Sequence, residues 1–167
     1  MKRMRKPNID AHLTVIVTDK NNKVVLRKRQ KSKSFVVGFL NALYSEFESG
    51  TSFSSPNIVV GSGTATPTIN DTGLESQIGN GTGAGQLQYG SDSLTTPAAN
   101  TNTNTGSMTW NKSFTNGSGG NVTVSEVGAY LQSSGTQHFI LHDLLPSPIT
   151  LSPNQVLTVV YTITIST

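Results

Sequence analysis

Residues 157–165 read Leu-Thr-Val-Val-Tyr-Thr-Ile-Thr-Ile, and this stretch decides the class of fold. Apolar side chains stand at every second position, with threonine at most of the positions between them. Because successive side chains on a strand point to opposite faces, the alternation predicts one long strand with one face in a core. The apolar set is Leu157, Val159, Tyr161, Ile163 and Ile165. The sequence therefore ends in a half-buried β-strand.

The sixty residues upstream predict further strands that are separated by turn-forming residues. In order, they are a strand at 108–114, a turn at 116–121, a strand at 122–131, a turn at 133–136, a strand at 137–143 and an extended connection around Pro146 and Pro148. The apolar positions of 122–131 change parity after Val124. A regular strand cannot do this, so we predict a β-bulge near Ser125 and Glu126.

The N-terminal region predicts a hairpin followed by the one helix. Residues 12–18 and 23–29 read as strands, and Asp-Lys-Asn-Asn at 19–22 is a turn. From Ser34 to Ser49 large apolar residues recur every four positions, which is typical of a helix with an apolar stripe. We expect Ser34 to cap the helix, Gly50 to end it, and Gly38 to allow close approach of another backbone. The stripe consists of Phe35, Phe39, Leu43 and Phe47.

Residues 62–106 are rich in Gly, Thr, Ser and Asn and follow a short predicted strand at 56–61. A loop of this length is unusual in a compact domain, so it must cover a sheet or be ordered by a neighbouring subunit. Its run Gly-Asn-Gly-Thr-Gly-Ala-Gly at 79–85 has the spacing of no nucleotide-binding motif.

These elements predict a mainly β fold, an antiparallel β-sandwich of jelly-roll-like type with a small N-terminal hairpin-plus-helix module. We place the basic arm, hairpin and helix in residues 1–50 as a docking module. The sandwich with its long loop occupies residues 51–167.

Charge is concentrated at the N-terminus. Eleven cations and two acids give residues 1–33 a net charge of +9, whereas one cation and seven acids give the rest −6. Such a basic segment fits docking on an acidic protein surface, nucleic-acid binding, or a solvated arm. We favour docking, with nucleic acid less favoured. The docking cations are Arg27, Lys28, Arg29, Lys31 and Lys33, and a strand charged on both faces fits only a sheet edge.

The sequence offers little for catalysis. Cysteine is absent, which excludes disulfides and thiolate chemistry. His138 and His142 lie too far apart along a strand for one metal, and no Ser-His-Asp set can be argued from spacing. We predict no catalytic residue, metal or cofactor. Apolar runs are too short to cross a bilayer, so no membrane partner is expected.

Two residues near the predicted bulge and one tryptophan remain as structural candidates. We expect Glu126 to accept backbone hydrogen bonds and Gly128 to be structural. Trp110 fits core packing, or a sugar-binding shelf with Tyr130 or Tyr161, and we favour the core.

Several stretches resemble structural proteins of tailed-bacteriophage virions, including tail-fibre attachment regions. Residues 59–64 (VVGSGT) followed by 71–75 (DTGLE) resemble the start of such proteins. Residues 113–116 with 124–130 (VSEVGAY) are similar to their "FTN…TEVGLY" pattern, with Ala129 where Leu is commoner. Residues 144–150 followed by 155–165, and the basic leader ending at Leu40, are similar to such proteins too.

The resemblance implies a non-enzymatic virion component at the tail, neck or capsid surface. Its expected partners are further copies of itself, as a homo-oligomer, and other virion proteins. A host-surface glycan would be a partner in the alternative interpretation, a receptor- or carbohydrate-binding module. A cell-surface filament subunit is the other alternative. The resemblance supplies no catalytic residues.

Overall fold

Two antiparallel sheets and one helix make up the computed structural model, which describes residues 8–32, 35–50, 54–95 and 97–166. Strands make up more than half of the described residues and the helix less than a tenth. The predicted class, a mainly β antiparallel sandwich with one short helix, is confirmed. The elements are β1 (Asn8–Thr18), β2 (Val24–Ser32), α1 (Val37–Ser49), β3 (Ser54–Gly61), β4 (Gln88–Tyr89), β5 (Ser93–Leu94), β6 (Ala98–Asn100), β7 (Thr105–Thr115), β8 (Val122–Ser133), β9 (Thr136–Leu151) and β10 (Val156–Ser166).

The larger sheet is built around the predicted C-terminal strand. Its order is β2-β1-β10-β7, and the short strands β4, β5 and β6 pair with the far edge of β7. Leu157, Val159 and Tyr161 are fully buried, as the alternation predicted, whereas Ile165 of the same set is 56% exposed. β1 pairs with β10 along its whole length. The N-terminal hairpin, predicted for a separate module, is therefore part of this sheet.

The smaller sheet has the order β3-β8-β9 and contains the predicted irregularity. Val124 pairs with Ile149 but Glu126 pairs with Leu144, so the register shifts at the predicted place. The additional residues belong to β9, however, and not to β8. The β8–β9 turn has positive φ at Ser134 and Gly135, which is the backbone geometry of a tight hairpin turn.

The core lies between the two sheets and includes large side chains from both. Its fully buried members include Leu13, Trp110, Phe114 and Tyr161 of the larger sheet, and Ile58, Leu141 and Leu151 of the smaller. At one margin of the sandwich β2 reaches across to β9. Gln30 donates to the Leu144 carbonyl (2.9 Å) and the Ser32 hydroxyl donates to Asp143 (2.6 Å).

The helix is shorter than predicted. It begins at Val37 with Val36 at the N-cap, and Ser34, the predicted cap, lies outside the described residues. Gly50 ends it in the left-handed conformation (φ 63°) and donates to the Glu46 carbonyl, as expected. A side chain at Gly38 would overlap the Phe139 carbonyl, so the helix packs directly on the backbone of β9. No helix in the described part of the chain is long and apolar enough to cross a membrane.

The long loop covers the outer face of the smaller sheet. Leu74 and Tyr89 pack on a small apolar cluster of Val36, Val59 and Phe139 on that face. Ile78 and Leu87 are buried in the main core. Of the two predicted alternatives the structure shows the first, because contacts within this chain hold the loop. Its length therefore gives no reason to invoke a neighbouring subunit.

Candidate functional site

Glu126 is a fully buried carboxylate at the register shift of β8. Its Oε1 accepts hydrogen bonds from the backbone N–H groups of Gly63 (2.9 Å) and Ser76 (2.8 Å). Its Oε2 accepts one from the N–H of Glu75 (3.1 Å). One side chain of the sheet thus holds both ends of the loop segment 62–76. Backbone hydrogen bonds were predicted for Glu126 as a structural residue of the bulge, but the donors belong to the loop.

His142 of β9 connects this carboxylate to a second acid. Its Nε2 lies 3.0 Å from Glu126 Oε2, and its Nδ1 lies 2.6 Å from Asp71 Oδ2. The ring is buried. Asp71 in turn accepts hydrogen bonds from the N–H (2.8 Å) and hydroxyl (2.6 Å) of Thr68. We call Glu126, His142 and Asp71 the loop clamp.

The loop clamp is arranged to hold structure. Both imidazole nitrogens face carboxylates, so in this arrangement neither is open toward a substrate, as a general base requires. Within the described ranges no group of three or more His, Asp or Glu side chains is placed to hold a metal ion. What the geometry provides is attachment of a polar loop to a sheet through charge-assisted hydrogen bonds.

Glycines make room for the loop clamp. A side chain at Gly61 or Gly63 would overlap the Glu126 carboxylate, and one at Gly128 would overlap the Phe139 ring. Gly128 pairs with His142 across β8 and β9. Its predicted structural importance therefore has a local cause, which is the packing of Phe139 over its Cα.

The sequence did not reveal the part played by His142. We expected each histidine to be an ordinary polar position on a strand, but His142 lies between two acids that are 16 and 71 residues away in the chain. Asp143 does point to the other face, where it accepts from Ser32 and Tyr161. The one signal in the sequence was Asp71, the first residue of the run at 71–75, which is the acid that His142 contacts.

Acid should weaken the loop clamp through Asp71. Burial alone would raise the pKa of Asp71, but the hydrogen bonds from Thr68 and the contact with His142 lower it below 3.8. A lowered folded-state pKa means that the stabilisation is complete above 3.8 and is lost as the pH falls through the lower, folded-state value. We expect the Asp71→Asn variant to have a lower urea midpoint than wild type at pH 5. The difference should shrink towards pH 2.5, and a difference independent of pH would contradict this.

Trp110 belongs to a second buried polar group. Its indole Nε1 donates to Asp92 (2.9 Å), and Asp92 also accepts from the Ile58 N–H (2.9 Å) and from the Lys112 ammonium (2.7 Å). Lys112 further donates to the Asn57 side chain (2.6 Å) on the opposite sheet. Trp110 and Tyr161 are both inside the core, so the alternative of a sugar-binding shelf built on either is wrong.

The predicted docking cations lie on an edge strand. β2 is the terminal strand of the larger sheet, as its charge pattern required. Arg27, Arg29 and Lys31 are exposed and lie opposite Ile16, Thr14 and His12 of β1, on the face of the sheet away from the core. Lys28 points to the other face and contacts Ser147, and Lys33 lies outside the described residues.

The predicted apolar stripe of α1 does not form one face. Phe35 precedes the helix, and its ring packs 4.7 Å from that of Phe39, both half-buried against the core. Leu43 is half-buried, whereas Phe47 is 84% exposed. A four-residue repeat rotates by about 40° per step around a helix of 3.6 residues per turn, which carries the series out of the core.

A different stripe of α1 is exposed instead. Val37, Leu40, Tyr44 and Phe47 follow the three- and four-residue spacing of one helix face, and Leu40 and Tyr44 are 62% and 65% exposed. Exposed Ile9 and Ile69 lie beside the start of the helix. With Leu40 and Val37 they line a shallow cavity of about 230 Å³. We call these six residues the α1 surface.

Comparison of the chain with known protein families, curated proteins and solved structures finds no match in any of the three. The class of protein is therefore defined by the fold and the site only. The protein is a two-sheet antiparallel β protein with a clamped loop, an exposed apolar helix face and a cationic edge strand.

Proposed function

We propose that the protein is a non-enzymatic structural subunit of a tailed-phage particle, which associates with further copies of itself and docks on neighbouring proteins at the tail, neck or capsid surface. The observation that carries the proposal is the α1 surface. Contiguous exposed apolar side chains on a chain with a complete core of its own are typical of a contact between proteins.

A second copy of the chain is the proposed occupant of the α1 surface. The charged residues of α1 are Glu46 and Glu48, both in its last turn, and Glu46 accepts a hydrogen bond from Ser133. In an antiparallel contact between two copies of α1 these acids lie at opposite ends, so no like charges meet. The cavity beside Leu40 can receive an aromatic side chain of the other copy.

The resemblance to phage structural proteins supports the location. The stretches that carry it, 59–64 with 71–75 and 124–130, meet at the loop clamp, where Glu126 binds Gly63 and Glu75. The resembling positions thus act together to attach a loop to a sheet. This arrangement supports a structural role for the protein, since both ring nitrogens of His142 are hydrogen-bonded to carboxylates.

Charge on the α1 surface should strongly weaken self-association. We expect the Leu40→Asp/Phe47→Asp variant to associate at least about tenfold more weakly than wild type in sedimentation equilibrium, because burying unpaired carboxylates in an apolar contact is unfavourable. Both side chains are exposed, so the fold should survive. The control is Thr101→Asp in an exposed turn. A wild-type chain that stays monomeric at high concentration would contradict the proposed self-association.

The proposed location of the protein in the phage particle is tested separately. Particles assembled with a labelled full-length chain should carry the label in electron micrographs at repeated positions. Particles without label would contradict the virion role, whatever the oligomeric state in solution.

A further inference from the structure

The edge strand β2 has a composition that points to a particular kind of partner. It is nine residues long, and among the strands that the structure describes β1 is its one neighbour in the sheet. An edge strand presents alternate backbone N–H and C=O groups that another strand can bind. On its outer face stand Arg27, Arg29 and Lys31, about 7 Å apart along the strand. Lys31 pairs with Asp10, while no acid among the described residues pairs with Arg27 or Arg29.

Two copies of β2 cannot pair favourably with each other. An antiparallel pairing centred on Arg29 would place Arg29 opposite Arg29 and Arg27 opposite Lys31. Like charges directly opposite each other on neighbouring strands are destabilising. The occupant of this edge is therefore a different sequence.

The rest of the chain cannot supply the complementary charge either. Of nine acids, eight accept hydrogen bonds or ion pairs within the chain, and five of these hold backbone N–H groups. Glu48 alone is left without a partner among the described residues, and a single carboxylate does not match three cations. The acidic partner must be another molecule.

The edge also offers apolar surface. Val24 and Val25, at the start of β2, are 54% and 50% exposed. Charges that serve only to prevent edge pairing would not be accompanied by two exposed β-branched residues, which favour it. Nucleic acid fits less well, because single strands are bound by stacking on aromatic side chains and Trp110, Phe114 and Tyr161 of this sheet are all buried.

From these observations we infer that β2 binds an acidic extended segment of a second protein as an added antiparallel strand. Acidic side chains at alternate positions of that segment would lie opposite Arg27, Arg29 and Lys31, about 5 Å away across the strands. Backbone hydrogen bonds would supply affinity, and the charges would set register and exclude other sequences. This inference deepens the proposed docking function and rests on it only for the identity of the partner as a particle protein.

The test uses the full-length chain and a nine-residue peptide of alternating threonine and glutamate. We expect binding to shift the backbone amide resonances of residues 24–32, to weaken about two- to fivefold when Arg29 is changed to Gln, and to weaken further in Arg27→Gln/Arg29→Gln. The matched control is Lys20→Gln in the adjacent turn, which should leave binding unchanged. Thermal unfolding of each variant confirms that the fold is retained.

Two altered peptides separate strand addition from simple charge attraction. A threonine–lysine peptide should not bind. A threonine–glutamate peptide with alternate backbone nitrogens methylated keeps its charge but cannot form the ladder, and it too should fail. Equal binding of the methylated peptide, no binding of the original one, or stronger binding of oligodeoxythymidine at the same salt concentration would overturn the inference. None of these outcomes depends on whether labelled particles form.

Discussion

The Glu126→Leu variant should lose about 3–5 kcal/mol of its free energy of unfolding, measured by urea denaturation. Leucine fills a similar volume but leaves three backbone N–H groups and one imidazole nitrogen without their acceptor. All four surround a side chain with no exposed surface. Because domains of this size are stable by only about 5–15 kcal/mol, the loss should be obvious at room temperature.

The Glu126→Gln variant is the matched control. Its amide oxygen can still accept from Gly63 and Ser76, and its amide nitrogen can donate to His142 when the ring hydrogen faces Asp71. It forfeits the contact with the Glu75 N–H, so we expect a loss of about 1 kcal/mol. Equal stability of the wild type, Gln and Leu proteins would show that the loop is not held by this carboxylate. Proteolysis within 62–76 should be faster for the Leu variant.

Most of the fold could be predicted from the alternation of apolar and polar residues along the sequence. A strand with one buried face must repeat every two residues, and the runs at 108–114, 122–131 and 157–165 all lie in strands of the structure. The irregularity at Glu126 was visible for the same reason, since a change of parity needs a shift of register. Which of two paired strands carries the additional residues depends on the partner, so a single strand could not place them in β9.

Helical periodicity was less informative, because a four-residue repeat does not match the 3.6 residues per turn of a helix. The residues spaced by four drift around α1, whereas the helix contacts β9 through Gly38, where close backbone approach was expected, and through the fully buried Ala42. The helix packs by close backbone approach to β9. Large apolar side chains therefore remain exposed at Leu40, Tyr44 and Phe47, while Phe39 and Leu43 are only half-buried.

The loop clamp was half visible in the sequence. Glu126 could be singled out because a carboxylate at a register shift needs a reason, but its partners depend on the path of a loop that has no periodicity. Hydrogen bonds to backbone N–H groups leave no trace in the sequence of the donors. His142 and Asp71 could be connected only once β9 and the loop were placed together in space.

The burial of Lys112 could be predicted from the alternation along β7. Trp110, Lys112 and Phe114 share one parity on β7, so alternation alone places a lysine on the core face. A charged lysine on the core face needs a partner, and the structure provides Asp92, which lies 2.7 Å from the ammonium. Removing the cation should therefore be costly. We expect the Lys112→Met variant to lose about 3–5 kcal/mol of unfolding free energy, since Asp92 would remain largely buried without its cation.

Removing both charges should restore much of that loss. In Lys112→Met/Asp92→Asn the asparagine oxygen can still accept from the Trp110 indole and the Ile58 N–H, and methionine fills the space of the lysine stem. A double-mutant cycle should give a coupling free energy of about 1–3 kcal/mol, read from the fluorescence of Trp110, the sole tryptophan of the chain. Strictly additive losses would mean that the ion pair contributes nothing specific. In that case the margin between β3 and β7 would depend on the core packing of Trp110 alone, and Trp110→Phe would be as disruptive as the loss of Lys112.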